Sequence, residues 1–98
     1  MTLEDILQDI YTLEDEMRTY ARKYGVLTET FYESYTRGEE PVDDAWVRDW
    51  TAWASAHRPW LRRRGQYQTT IHALQAHAPT FAEVIARTAR HESIPIAA

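Results

Sequence analysis

Four histidines, His57, His72, His77 and His91, are the residues of this chain best suited by type to metal or proton chemistry. A helical metal pair needs ligands three or four residues apart, so that both lie on one face. None of the four has another histidine or a carboxylate at that spacing, and the nearest two, His72 and His77, fall on different faces. They read as surface or half-buried polar side chains, and neither a metal site nor any other cofactor is expected. With no cysteine in the chain, disulfides, thiolate ligands and thiol nucleophiles are excluded. There is no glycine-rich phosphate loop and no serine or threonine in a nucleophile motif. Carboxylates strung along a solvated helix face do not make an acid and base pair. No catalytic residue is assigned, and the chain is not expected to be an enzyme.

A different chemistry is carried by the run RPWLRRR, in which Arg58, Arg62, Arg63 and Arg64 flank Trp60. Guanidinium groups contact phosphates and an indole stacks on a base, so these five residues are the candidate nucleic-acid contacts. The run lacks the wider basic face that accompanies such contacts, and the whole chain carries a net charge of −4. The halves differ in sign: residues 1–50 hold 13 acidic and 5 basic side chains, net −8, and residues 51–98 hold 2 and 6, net +4. Arginines that satisfy an acidic helix elsewhere in the same chain explain that asymmetry better than nucleic acid does.

The elements that position these residues follow from apolar spacing. Leu3, Ile6, Ile10, Leu13, Met17, Tyr20 and Tyr24 recur at alternating intervals of three and four, the seam of a coiled-coil helix over residues 3–24. Thr2 with Asp5 forms its capping box, and Gly25 ends it. Thr28 is expected to cap a short helix over 29–37, stopped by Gly38. A long helix over about 43–76 carries Trp46, Trp50, Trp53, Trp60, Tyr67, Ile71 and Leu74 in a second heptad register, interrupted only by His57 and Arg64. Pro59 removes one backbone hydrogen bond and is expected to kink this helix without breaking its phase. Pro79, Thr80 and Glu83 open a last helix over about 81–91, before a frayed tail at 92–98.

The fold class expected is therefore all-α: an antiparallel, coiled-coil-like helical hairpin with a short linking helix and a short C-terminal helix, in one domain spanning residues 1–98. Antiparallel pairing sets Asp9 to Glu16 near Arg58 and Arg62 to Arg64, and sets Arg18, Arg22 and Lys23 near Asp43, Asp44 and Asp49. Four tryptophans and six tyrosines exceed what a two-helix seam encloses. The tryptophan stripe supplies the hairpin core at two or more of its positions. The excess, Tyr32, Tyr35, Tyr11 and Trp53, is assigned to binding a partner, because Trp and Tyr dominate interface hot spots. The opening MTLEDILQDI is acidic where a signal peptide is basic, and no apolar run is long enough for a membrane span, so a cytoplasmic protein is expected.

The string KYGVLTETFYESYTRGEEPVDDAWVRDWTAW, residues 23–53, resembles a pattern in small all-helical antitoxin-like proteins encoded beside bacterial and archaeal toxins. The matching positions are Tyr24, Gly25, Thr28, Phe31, Tyr32, Tyr35, Gly38, Glu39, Asp43, Asp44 and Trp50. The resemblance implies an antitoxin-like or adaptor protein that neutralises or regulates a partner protein, such as a toxin, by direct contact. Two other readings stand beside it: a small nucleic-acid-binding regulator working through the Arg58 to Arg64 cluster, and a helical protein that assembles with copies of itself.

Overall fold

The computed structural model describes residues 1–89, which form four helices: α1 (Leu3–Tyr24), α2 (Thr28–Thr36), α3 (Asp44–His77) and α4 (Phe81–Ala89). The expected end of the last helix near residue 91 and the frayed tail lie outside the described residues. α1 opens on the reciprocal box its sequence calls for. The Thr2 amide donates to Asp5 Oδ2 at 2.9 Å, and the Asp5 amide donates to Thr2 Oγ1 at 3.2 Å. These bonds from Thr2, its amide first, hold the Asp5 carboxyl below its ordinary range. α1 stops at Gly25, whose φ of +75° suits glycine and whose amide reaches back to the Ala21 carbonyl at 2.8 Å.

α2 starts one residue earlier than expected, at Thr28, with Leu27 in the cap position and no side chain capping it. The Thr28 hydroxyl is taken by another group: it accepts the Trp53 indole N–H at 3.0 Å. A buried indole donor needs a partner more than an exposed helix end does, since water can satisfy the latter. Gly38, at φ +91°, follows the end of α2. Asp43 caps α3, its Oδ1 accepting the Ala45 amide at 2.8 Å. α3 runs uninterrupted through Pro59. At α4, Thr80 Oγ1 accepts the Glu83 amide at 3.2 Å, while the Glu83 carboxylate turns forward to Arg87 at 3.7 Å.

The two long helices pack against each other antiparallel, giving an all-α hairpin. The chain divides into two compact units, each containing part of α1 and part of α3. In the first, residues 1–10 with those from 62 onward, the buried side chains are Leu3, Ile6, Ile10, Thr70, Leu74 and Val84. In the second, residues 11–61, the core is Met17, Phe31, Trp53, Ala54 and Ala56, with Leu13, Tyr20, Tyr24, Trp50 and Trp60 half-buried against it.

Two of the expected opposite-charge contacts form. Arg63 Nε meets Asp9 at 2.9 Å in the first unit, and Lys23 meets Asp49 at 2.6 Å in the second. Others do not: Arg18 turns to Asp15 on its own helix at 2.8 Å, where the i−3 carboxylate is a near neighbour, and Arg22, Arg58 and Arg62 form no ion pair among the described residues. Among the described residues no helix is long and apolar enough to cross a membrane.

Candidate functional site

Within residues 11–61 the aromatic side chains organise around Trp53. Its ring lies flat on Phe31, with centroids 4.0 Å apart and planes within 1°, and it stacks on Tyr24 at 5.8 Å and on Tyr20 at 6.1 Å. Trp50 meets Phe31 edge-on at 5.6 Å, and Trp46 meets Tyr24 edge-on at 5.7 Å. The edge-on pairs have the T-shaped geometry that ring quadrupoles favour. The heptad spacing of α3 brings Trp46, Trp50 and Trp53 onto one face. Phe31 reaches them because Gly25 turns the chain so that α2 lies across that face.

The polar ends of this cluster are also paired. The Tyr24 hydroxyl donates to Asp49 Oδ2 at 2.6 Å, and Lys23 donates to the same oxygen at 2.6 Å. Burial, reinforced by the bond to the Asp49 carboxylate, pushes the Tyr24 phenol up to about 12. The bonds from Lys23 and then Tyr24 hold the Asp49 carboxyl below its usual range. His57, stacked on Tyr32 at 3.9 Å, is shifted below its ordinary value by burial. Its Nδ1 is buried without a hydrogen-bond partner among the described residues.

The four residues assigned to a partner separate on this geometry. Trp53 is 1% exposed and is the centre of the core, so its assignment to a partner is corrected. A wide ring on the inward heptad position, with an acceptor for its N–H in Thr28, satisfies itself within the fold. Tyr32 and Tyr35 are half-buried rather than free: Tyr32 leans on His57, and Tyr35 on Phe31 at 5.4 Å. The linking helix finds its cover on α3, through Phe31 on Trp53 and Tyr32 on His57. Tyr11 is open, at 55% exposure.

The arginine run is not one surface of equivalent side chains. Arg58 and Trp60 belong to the second unit, Arg62, Arg63 and Arg64 to the first. Arg63 is held by Asp9 and by Gln66, at 2.7 Å from the latter. Trp60 is half-buried beside His57 at 5.5 Å, and Arg62 is exposed. The structure thus engages Arg63 with the acidic helix, in the way the charge asymmetry of the halves required.

Sequence reasoning missed the groove that the second unit leaves open. A depression of about 460 Å³ lies between α1, the start of α2 and α3. Met17, Ala21, Leu27 and Trp60 give it an apolar floor, and Glu14 and Glu29 stand on its rim. Leu27 is 66% exposed. The available signal was the apolar pair Val26 and Leu27 in a connection too short to fold back over its own side chains. A second cavity, of about 390 Å³, lies between α2 and α3 and is lined by Tyr32, Tyr35, Thr36, Thr51, Ser55 and Arg58, with Ala54. The stacked rings of His57 and Tyr32 stand between the two, His57 lining the groove and Tyr32 the cavity. No family model, curated protein or solved structure matches this chain.

Proposed function

We propose that this protein binds a partner protein by direct contact and regulates it, as an antitoxin-like or adaptor subunit, through the groove floored by Met17, Ala21, Leu27 and Trp60. The occupant is an amphipathic segment of the partner with basic flanks. The observation that carries this reading is the groove's lining, which combines the apolar Met17, Ala21, Leu27 and Trp60 with the carboxylates Glu14 and Glu29. Its volume of about 460 Å³ falls within the roughly 300–1,000 Å³ of ordinary binding clefts, room for the side chains of one or two helical turns. Arg18, the cation on the rim, is already neutralised by Asp15, while Glu14 and Glu29 make no ion pair among the described residues. A partner helix that sets apolar side chains on the floor and Lys or Arg beside these two carboxylates satisfies both requirements at once. The likeness of residues 23–53 to antitoxin-like proteins adds a toxin as the class of partner.

The test is retrieval of partners from the native host at physiological salt with the tagged wild type, a Leu27→Glu variant and a Leu61→Glu control. Both leucines are exposed, and a carboxylate at the N-terminus of α2 is favourable to the helix dipole, so the variants should fold. A protein retained by the wild type and by Leu61→Glu, but lost with Leu27→Glu, is expected. Retention that Leu27→Glu leaves unchanged, or retention of nucleic acid alone through Arg62 and Arg64, would sink the reading.

A further inference from the structure

Two groups of residues that the sequence separates meet in the cavity between α2 and α3. Tyr32 and Tyr35 reach it from α2, and Arg58 from the turn of α3 that follows Ser55. We propose that this cavity, with Arg58 as its cation and the Tyr32 and Tyr35 hydroxyls beside it, is a binding site for a carboxylate group. The proposal stands apart from the groove described above and does not depend on it.

Arg58 is the only cation in the lining, and no carboxylate shares the cavity with it or pairs with it among the described residues. A guanidinium carries five N–H donors, and the Tyr32 phenol lies near enough to raise the Arg58 pKa. Tyr35 and Ser55 line the same space. Thr36 and Thr51 do not compete for the role, since each donates to a backbone carbonyl of its own helix, at 2.9 and 2.8 Å.

Tyr32 is packed against His57 at 3.9 Å and Tyr35 against Phe31 at 5.4 Å, so both rings are held before any ligand arrives. Little ordering entropy then opposes binding.

The shape and charge of the guanidinium select the anion. The planar guanidinium fork matches a planar carboxylate in two parallel hydrogen bonds. One guanidinium balances one carboxylate charge. A phosphate monoester brings close to two, and residues 11–61 already hold 10 acidic and 6 basic side chains, net −4. At about 390 Å³ the cavity exceeds a carboxylate alone, and Ala54 with the tyrosine rings gives an apolar wall for the stem that carries it. The same group is offered by a small organic acid and by the free C-terminus of a peptide.

The experiment is an amide-resonance NMR titration of the full chain with benzoate, benzamide, inorganic phosphate, and a short peptide as free acid and as C-terminal amide. Benzoate, the peptide acid, or both should shift the resonances of Tyr35, Ser55 and Arg58 saturably, while benzamide and the peptide amide should not. Benzoate binding the tighter marks a small acid as the natural source, and the peptide acid binding the tighter marks a peptide end. Arg58→Gln should weaken the binding about ten-fold or more, the worth of a charge-assisted hydrogen bond, with the helical signal retained because Arg58 is exposed. Tyr35→Phe should weaken it by less, and Arg22→Gln on α1 should leave it unchanged. Benzamide binding as well as benzoate, phosphate saturating the same resonances at lower concentration, or full affinity in Arg58→Gln would each overturn the proposal.

Discussion

Residues 1–10 and 62–89 close around the aliphatic Leu3, Ile6, Ile10, Leu74 and Val84, with Thr70 beside them, whereas residues 11–61 close around Trp53, Phe31 and the rings packed on them. The same heptad alternation produces both. Aliphatic side chains interdigitate and need no further partners, so the first unit is held chiefly by packing, to which the Arg63 to Asp9 ion pair adds a link between α3 and α1. Rings are wide, flat and polar at one edge, and the second unit places an acceptor at two of those edges: Thr28 for Trp53, Asp49 for Tyr24. Cavities lined by these rings lie between its helices, and two of them carry the candidate sites.

The contrast is tested most strongly at the two most deeply buried large side chains. Trp53→Ala should cost about 3–5 kcal/mol and Ile6→Ala about 2–4 kcal/mol, read from urea unfolding followed by circular dichroism. Leu13→Ala, at a half-buried position on the same seam, should cost about 1 kcal/mol. If Ile6→Ala proves the costlier change, the second unit does not depend on Trp53 in the way its ring contacts imply.

A smaller effect isolates the polar demand of the rings. Thr28→Val keeps the side-chain volume and strands the buried Trp53 N–H, which should cost about 1–3 kcal/mol. The loss should vanish when Trp53 is replaced by Phe in the same background, as a double-mutant cycle would reveal. A cycle with no coupling would mean that the indole finds another acceptor.

Smallest are the pH effects, which should arise from the aromatic unit at both ends of the scale. Burial lowers the His57 pKa from 6.5, so the unfolded chain takes the proton first. Stability from this group is complete above pH 6.5 and declines as pH falls below it, through the lowered folded value. Tyr24 has the opposite sign: its folded pKa is about 12 against 10.0, so its contribution is complete below pH 10.0 and is lost as pH rises toward 12. Midpoints of urea unfolding at a series of pH values should decline at both edges. His57→Gln should flatten the first edge and Tyr24→Phe the second.

Much of the fold was legible in the sequence, because caps and heptads are local. Thr2 with Asp5, Gly25, Gly38 and Asp43 act within a few residues of themselves, and the seams of α1 and α3 follow from the helical period alone. The same applies to the pairing of Asp9 with Arg63 and of Lys23 with Asp49, since antiparallel packing and opposite charge leave few other arrangements. The candidate sites were less legible. Tyr32, Tyr35 and Arg58 each stood out, but for separate purposes, and of the groove only the apolar pair Val26 and Leu27 gave a local signal, while Glu14 and Glu29 gave none.

Composition and spacing by themselves determined that this chain is a helical hairpin whose aromatic side chains outnumber the places on its two seams. Only the tertiary structure decided which aromatic goes inside. Phe31 lies on one face of Trp53 and Thr28 accepts its N–H, which takes Trp53 from the surface into the core. Tyr32 and Tyr35 lose their freedom in the same way, one to His57 on α3 and the other to Phe31, itself held against α3. The reason is physical: a helix period states which side a residue faces, while burial depends on what a second and third helix bring to that side. No pattern within one helix carries that information.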